Sequence, residues 1–171
     1  VMQLAIHAFD LVHYLVGRIE EVVTYTRSVT TEPGVMDSVT AVMRLDDGSL
    51  GTMVSNYCTP VLFEYRIAGT EGMLRCTPQT FWYQGKGKGP RATSLIEEDD
   101  FSAYGLESYV RQMEAFGEAV RVQAPPETDG WVGVQALAVV EAMQRSAVKM
   151  TPQHVQRFES LTLARWEHRD P

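Results

Sequence analysis

Residues 38–57 are SVTAVMRLDDGSLGTMVSNY, two alternating segments on either side of Asp46-Asp47-Gly48. An Asp-Gly pair favours the tight turn whose twist suits two adjacent antiparallel strands. Val and Thr recur in both flanking segments, and these residue types fit the pleated surface of a sheet. The stretch therefore predicts a β-hairpin with strands over 38–45 and 49–57.

Further strands are predicted on both sides of this hairpin. The preceding segment, IEEVVTYTRSVT, is rich in β-branched residues and is followed by a Glu32-Pro33-Gly34 turn. The following segments are broken by Pro60, by the turn Gly69-Thr70-Glu71-Gly72 and by the glycine-rich basic loop Lys86–Arg91. The predicted strands cover residues 19–30, 61–68 and 73–77, with two weaker ones at 80–84 and 91–97.

Helical periodicity marks both ends of the chain. In residues 2–16, Leu4, Ala8, Leu11 and Leu15 recur at helical spacing and predict a buried stripe. The stripe is widened by Met2, Phe9, Val12 and Val16. A second helix is predicted over 105–122 and ends before the prolines of Ala124-Pro125-Pro126. A third helix is predicted over about 130–148 with Thr128 or Asp129 as its cap, and a short strand over 155–163.

Strands grouped together with helices at both ends predict an α+β fold. We expect one domain over residues 1–171, an open, mostly antiparallel (mixed) sheet with helices packed on one face. The other sheet face, with Val42, Met53 and Tyr57 as expected members, is left for solvent or an interface. Burying that face against a second copy would make the protein a homo-oligomer.

Composition excludes several classes of protein. The 171 residues are 44% hydrophobic and 22% charged, which is enough apolar material for a folded core. The net charge of −7 disfavours nucleic acid as a partner, and no apolar run is long enough to cross a membrane. The two cysteines, Cys58 and Cys76, form no recognisable disulfide or zinc pattern, and no basic segment followed by an apolar one supports secretion. A cytoplasmic protein is expected.

The first helix carries the candidate chemistry. Gln3, His7, Asp10 and Tyr14 follow one another at helical spacing on a polar face. An imidazole exchanges protons near neutral pH, and a carboxylate one turn away can orient it or raise its pKa. The same spacing is also typical of a structural His–Asp pair with no chemical role, so both interpretations stay open. His13 lies about 120° around the axis from His7, which excludes a shared metal ion.

Other motifs give less support for function. The chain has no G-x-S-x-G nucleophile turn and no G-x-G-x-x-G phosphate loop, so nucleotide binding by this chain alone is unsupported. The aromatic run Phe81-Trp82-Tyr83 fits a strand edge or interface, and contact with substrate or a partner is the alternative. His154 and His168 receive no role.

Four segments together resemble the C-terminal domain of Gfo/Idh/MocA-type oxidoreductases, the glucose-fructose oxidoreductase and inositol dehydrogenase family. The first runs from Met2 to Gly17, with a His, an Asp three residues on and an apolar run ending in Gly. The others run from Asp37 to Gly51, from Ile67 to Gly72, and from Asp129-Gly130 through the alanines to Ser146-Ala147. The resemblance spans about residues 2–150.

The resemblance implies a two-domain parent protein. Its N-terminal Rossmann domain, absent from this chain, would bind NAD or NADP, and this half would supply part of the substrate pocket and the subunit interface. The implied reaction is hydride transfer between the nicotinamide and a carbinol carbon of a sugar, cyclitol or related polyol. The chain starts at Val1 inside a helical pattern with no capping residue, and we therefore expect a fragment.

The resemblance also implies roles for three residues. The histidine matching His7 assists proton transfer and binds substrate, and Asp10 orients it or caps backbone groups. Many relatives have an Asp where this chain has Gln3, and an amide can hydrogen-bond a substrate hydroxyl but cannot act as a base. The lysine of the family's Glu-Lys-Pro motif is absent, so we expect the fragment alone to be inactive.

Two other classes of function remain. One is a non-catalytic module that keeps the fold for ligand binding or oligomerisation, which the Gln3 replacement favours. The other is a small stand-alone hydrolase or isomerase using His7 and Asp10. A G-x-G-x-x-G and a Glu-Lys-Pro motif upstream of Val1 would favour the oxidoreductase over both.

Overall fold

The structure, a computed structural model, describes residues 2–30, 36–60, 62–77, 80–85, 94–97 and 104–158. All strand pairs among these residues are antiparallel, and the sheets are open. The predicted α+β class with an open antiparallel sheet is thus confirmed. The elements are α1 (Met2–Leu15), β1 (Ile19–Arg27), β2 (Ser38–Leu45), β3 (Leu50–Asn56), β4 (Tyr65–Ala68), β5 (Gly72–Cys76), β6 (Phe81–Gly85), β7 (Ser94–Glu97), α2 (Tyr104–Arg121), α3 (Gly130–Lys149) and β8 (Gln153–His154).

The chain divides into two compact units. The first unit consists of Val1–Pro60 and Glu127–Pro171, and the second consists of Val61–Pro126. The first unit contains α1, α3 and a sheet of order β3-β2-β1-β8, whereas the second contains α2 and a sheet of order β4-β5-β6-β7.

The predicted hairpin organises the first sheet. β2 and β3 pair antiparallel in continuous register, and the Leu45 N–H donates to the Ser49 carbonyl at 2.9 Å across the turn. Gly48 has φ +88° in that turn, a conformation that residues with a Cβ rarely adopt. The turn therefore fixes the register that decides which side chains of β2 and β3 face inward.

Helices α1 and α3 cover the inner face of this sheet. Val22, Ala41 and Met43 are buried there, and Phe9 of α1 and Met143 of α3 are completely buried against them. Helices on one face are therefore confirmed for the first unit. Close packing of these side chains fixes the rotation of α1 about its axis.

The buried face of α1 differs from the prediction. Phe9 is buried and Val12 packs against the core, as the widened stripe predicted, but Ala5 is also buried, Ala8 and Leu11 are only half-buried, and Leu15 and Val16 are exposed. α1 is apolar on most sides, so periodicity alone could not select the face. The small Ala5 side chain permits close packing, and the large Phe9 ring fills the space between helix and sheet.

The outer face of the first sheet remains exposed, as predicted for an open sheet. Tyr25, Val42 and Val54 lie on it, and the predicted Tyr57 is also exposed just beyond β3. The prediction for Met53 was wrong because Met53 pairs with the buried Ala41 and packs against the core. Alternation along β3 therefore directs its neighbour Val54 outward.

Polar side chains fix both ends of α3. The Asp129 carboxylate caps α3 by accepting the N–H groups of Trp131 and Val132, which confirms one of the two predicted caps. At the other end, the Ser146 hydroxyl accepts the Thr24 N–H of β1 at 3.0 Å and donates to the Thr151 carbonyl at 2.8 Å. Ser146 is completely buried, so its bond to the Thr24 N–H is shielded from water, whereas Thr151 is exposed.

The second unit is a four-stranded meander. Gly69 and Gly72 close the predicted turn through a 2.8 Å backbone hydrogen bond. A Cβ at Gly72 would lie 2.5 Å from the Gln84 carbonyl oxygen, so only glycine fits this approach of β5 to β6. On the sheet surface, the Glu64 carboxylate bridges Arg66 and Arg75.

Several sequence predictions differ from the structure or fall outside it. The short last strand is Gln153–His154 rather than 155–163, and residues after 158 lie outside the described residues. The Glu32-Pro33-Gly34 turn and the Lys86–Arg91 loop also lie outside them. Cys58 and Cys76 are free thiols.

We expect Ser146→Ala to lower the free energy of unfolding by about 1–3 kcal/mol, because it leaves the buried Thr24 N–H without its partner. The measurement is urea denaturation of the protein, followed by circular dichroism. Ser108→Ala is the matched control, since the Ser108 hydroxyl is exposed and bonds only the Gly105 carbonyl of its own helix. Equal, small effects of the two substitutions would contradict the assigned role of Ser146.

Candidate functional site

The outward face of α1 carries the candidate site. Ala5 and Phe9 turn toward the core, and His7, Asp10 and Tyr14 lie about 100–200° around the axis from them. Gln3 lies within the same helix, at the position that shares this face. The structure therefore places the predicted polar stripe on the side of α1 that faces away from the core.

His7 and Asp10 do not form a pair in this structure. His7 is exposed and Asp10 is half-buried, and neither makes a hydrogen bond or ion pair with any described residue. The imidazole of His7 is therefore free to meet a ligand from outside the described chain. The expected orientation of His7 by Asp10 stays a prediction.

His13 has a different environment from His7. It is half-buried, and burial lowers the pKa of its imidazole; the nearby Asp10 and Asp46 carboxylates raise it, and Arg18 lowers it further, leaving the pKa below its ordinary value. Its Nε2 atom has no hydrogen-bond partner in the described part of the chain. Asp10 thus acts electrostatically on His13, which belongs to the packed side of the helix.

Tyr14 extends the polar stripe to the start of α3. Its hydroxyl donates to the Glu127 carboxylate at 3.1 Å, and this hydrogen bond raises the pKa of the Tyr14 phenol. Glu127 lies two residues before the cap Asp129, so the cap holds this carboxylate close to α1. Helical spacing predicted the place of Tyr14, but a partner 113 residues away leaves no signal in the local sequence.

A shallow groove on α3 was not predicted. It has a volume of about 360 Å³, and Phe158 closes one side of it, held by the 2.9 Å bond from the Gln135 amide to its carbonyl. None of the polar-stripe residues of α1 lines it. Its lining consists of Val134, Leu137, Ala138, Val140, Glu141, Gln144 and Phe158.

The other candidate residues of the sequence do not come together in one described site. The aromatic run Phe81-Trp82-Tyr83 lies in β6 of the second unit, with two of its rings half-buried and Tyr83 more exposed. Within the described ranges, no three His, Cys, Asp or Glu side chains come together as a metal site would require. Across the same ranges, none of the helices has both the length and the apolarity of a membrane span.

The family is defined by a sequence match over most of the chain. Residues 1–155 match the family described as "Oxidoreductase family, C-terminal alpha/beta domain". The chain therefore belongs to the Gfo/Idh/MocA oxidoreductase family, as the four segments of sequence indicated. A curated relative, D-xylose 1-dehydrogenase (NADP(+)) 2 of Haloferax volcanii, is 25% identical over 156 residues, covering 86% of this chain and 45% of that protein.

Solved structures share the same fold. Levoglucosan dehydrogenase in complex with NADH superposes with a TM-score of 0.78 at 17% identity, over 90% of this chain and 49% of that one. The WlbA dehydrogenase of Bordetella pertussis, in complex with NADH and UDP-GlcNAcA, gives a TM-score of 0.61 at 25% identity, over 91% and 44%. The chain thus spans about half the length of the relatives it matches.

We expect stability to fall as the pH drops below about 6.5, because His13 is neutral when folded and protonates more readily when unfolded. The stabilising contribution of neutral His13 is complete above the unfolded pKa and is lost toward the lower folded pKa. Urea unfolding at several pH values between about 5 and 7.5 measures this slope. His13→Gln should flatten it and His154→Gln, at the exposed edge of the first sheet, should not; an unchanged slope in His13→Gln contradicts the assignment.

Proposed function

We propose that this chain is the substrate-binding and subunit-contacting half of an NAD(P)-dependent oxidoreductase that acts on a sugar, cyclitol or related polyol. The observation that carries the proposal is the family match over residues 1–155, together with an exposed histidine on the outward face of α1. Relatives named as dehydrogenases of xylose and levoglucosan support a polyhydroxylated substrate.

In this proposal, another part of the parent protein binds the cofactor. A dinucleotide needs a glycine-rich turn from a strand into a helix N-terminus, and the sequence has no G-x-G-x-x-G. NAD(P) would supply the hydride acceptor for the substrate carbon from another part of the parent protein. We therefore assign only substrate contacts and proton handling to the residues of α1.

His7 is assigned the proton-handling role. The reacting alcohol loses its hydroxyl proton as its carbon is oxidised, and an exposed imidazole can accept or relay that proton near neutral pH. Gln3 would hydrogen-bond a neighbouring substrate hydroxyl through its amide, and Asp10 would orient His7. A lysine from outside this chain would complete the proton transfer.

A non-catalytic module of the same fold is the second candidate. The specific observation in its favour is Gln3, because the family resemblance implies an acidic residue at this position and an amide cannot act as a base. Such a module would keep the fold and an exposed α1 face for ligand binding or oligomerisation without turnover.

The outer face of the first sheet is assigned to a second copy of the chain. Tyr25, Val42 and Val54 place exposed apolar side chains on neighbouring strands, and contiguous patches of this kind mark interfaces. Two identical open faces can bury each other in a symmetric dimer.

In the full-length protein that carries this chain, we expect His7→Ala to lower kcat by about 100-fold or more, because the proton-transfer partner is lost. Steady-state kinetics at several pH values measures the effect. His154→Ala, which removes an imidazole far from the α1 stripe, should leave kcat unchanged. An unaltered kcat in His7→Ala would favour the non-catalytic candidate.

Residues 1–171 alone should show no NAD(P)-dependent oxidation of sugars or polyols, because the cofactor site and the completing lysine lie elsewhere. Absorbance of the reduced nicotinamide reports turnover, and the full-length protein is the positive control. Turnover by the 171-residue chain would refute the placement of the cofactor site and the lysine outside it.

We expect the protein to sediment as a dimer or larger oligomer at tens of micromolar, and Val54→Glu to shift it toward monomer by burying a charge in the interface. Val148→Glu is the matched control, because Val148 is exposed near the end of α3 rather than on the sheet. A wild-type monomer, or equal behaviour of the two variants, would contradict the proposed interface.

A further inference from the structure

The shallow groove on α3 has a mostly apolar lining. It includes Leu137, which is 56% exposed, and its volume of about 360 Å³ leaves room for several side chains. Glu141 is the charged member of the lining, and its carboxylate accepts a hydrogen bond from the Arg145 guanidinium at 2.5 Å. Because burying an unpaired charge is costly, the groove favours an apolar and uncharged occupant.

The chain itself runs to the edge of this groove. Just beyond the end of α3, the Arg145 guanidinium donates to the His154 carbonyl at 3.1 Å. Nearer the start of α3, the Gln135 amide donates to the Phe158 carbonyl at 2.9 Å, and the Phe158 ring forms one side of the groove. The chain after α3 therefore runs back along the helix, and the residues that follow Phe158 start at the groove.

The segment that follows Phe158 lies beyond the shared domain. The family match ends at residue 155, whereas the sequence continues to residue 171. A contact made by residues 159–171, which are outside the described residues, would therefore be a property of this chain rather than of the family.

The composition of this segment suits the groove. Residues 159–166 are ESLTLARW. The four residues 161–164 carry no charge, and charged residues stand on either side of them. In an extended segment Leu161 and Leu163 point to the same side, because alternate side chains share a face. One side of the segment is therefore apolar, as the groove requires.

The segment is also long enough to fill the groove. The lining runs from Val134 to Gln144, about 15 Å along α3 at 1.5 Å per residue. An extended chain advances about 3.3 Å per residue, so about five residues span this length. More than twice as many residues follow Phe158. Their attachment at the groove keeps their local concentration high, so docking needs no separate encounter.

We propose that residues 159–166 turn back at Ser160 and dock in the groove of α3. Leu161 and Leu163 would then contact Leu137 and remove its exposed surface from water, which is favourable in proportion to the apolar area buried. Serine suits the turn because its hydroxyl bonds to nearby backbone groups. The proposal commits to this segment rather than to a second copy, because the segment is already tethered to the wall of the groove.

Photo-crosslinking of the full-length protein identifies the occupant. Leu137 is replaced by benzoylphenylalanine, and mass spectrometry maps the crosslinks after irradiation and trypsin digestion. The matched control is the same replacement at Val148, which is 79% exposed and lies about 17 Å farther along α3, outside the lining. We expect crosslinks from position 137 to Leu161 and Leu163, and several-fold fewer to these residues from position 148.

Fragmentation of the crosslinked peptide separates the intended contact from its neighbour, because Phe158 lies in the same tryptic peptide as Leu161 and Leu163. Crosslinks confined to Phe158, crosslinks to a second copy or to another part of the polypeptide, or equal yields from the two positions would each overturn the proposal.

Proteolysis of the full-length protein gives a second test that leaves the segment itself unchanged. Trypsin cleaves after Arg165, and a docked segment is cut only while it is out of the groove. Leu137→Glu puts a charge in the apolar groove and should raise the rate of cleavage at Arg165 by about tenfold or more.

The control for the proteolysis is Val148→Glu, which adds the same charge outside the groove and should leave the cleavage rate unchanged. Circular dichroism checks that both variants fold. Equal cleavage rates in the wild type and Leu137→Glu, or equal increases in the two variants, would overturn the docking.

Discussion

The packing of α1 and α3 on the inner face of the first sheet determines the rest of the first unit. Phe9 and Met143 are completely buried between helix and sheet, and this contact leaves α1 a single rotation about its axis. Because Phe9 faces inward, His7 lies on the outward side and meets solvent. Among the described side chains of α1, the polar ones of His7 and Tyr14 are thereby exposed, and this exposure follows from the packing of Phe9 rather than from any feature of the histidine itself.

The sequence predicted most of the fold because turns and helix caps depend on residues that are close together in the chain. The Asp46-Asp47-Gly48 turn fixes the hairpin, and the Asp129 cap marks the start of α3 within one residue of the prediction. The errors arose where the outcome depends on distant partners. Met53 was placed outward, although its pairing with the buried Ala41 turns it inward. On α1 the predicted stripe included both Phe9 and Leu15, and only Phe9 is buried, because sequence spacing does not show which part of a wide apolar stripe packs against the core.

The candidate site was predicted in part. Spacing on α1 placed Gln3, His7, Asp10 and Tyr14 on one face, and the helix that forms there has that face outward. The bond from Tyr14 to Glu127 joins segments 113 residues apart, so nothing in the local pattern indicated it. Electrostatics also separates the two histidines of α1, because Asp10 acts on the half-buried His13 and forms no bond with the exposed His7. Both histidines lie three residues from Asp10 in the sequence, so spacing alone does not distinguish the two interactions.

The exposed surfaces of the two units differ in how apolar they are. The sheet face exposes apolar residues such as Val42 among threonines, a surface that water tolerates and a second copy can bury. Helix α2 differs from this face, because large apolar side chains along one of its sides are exposed: Leu106, Tyr109, Val110, Met113, Phe116 and Val120. In the proposed enzyme, the sheet face would serve subunit contact and the polar face of α1 would serve substrate contact.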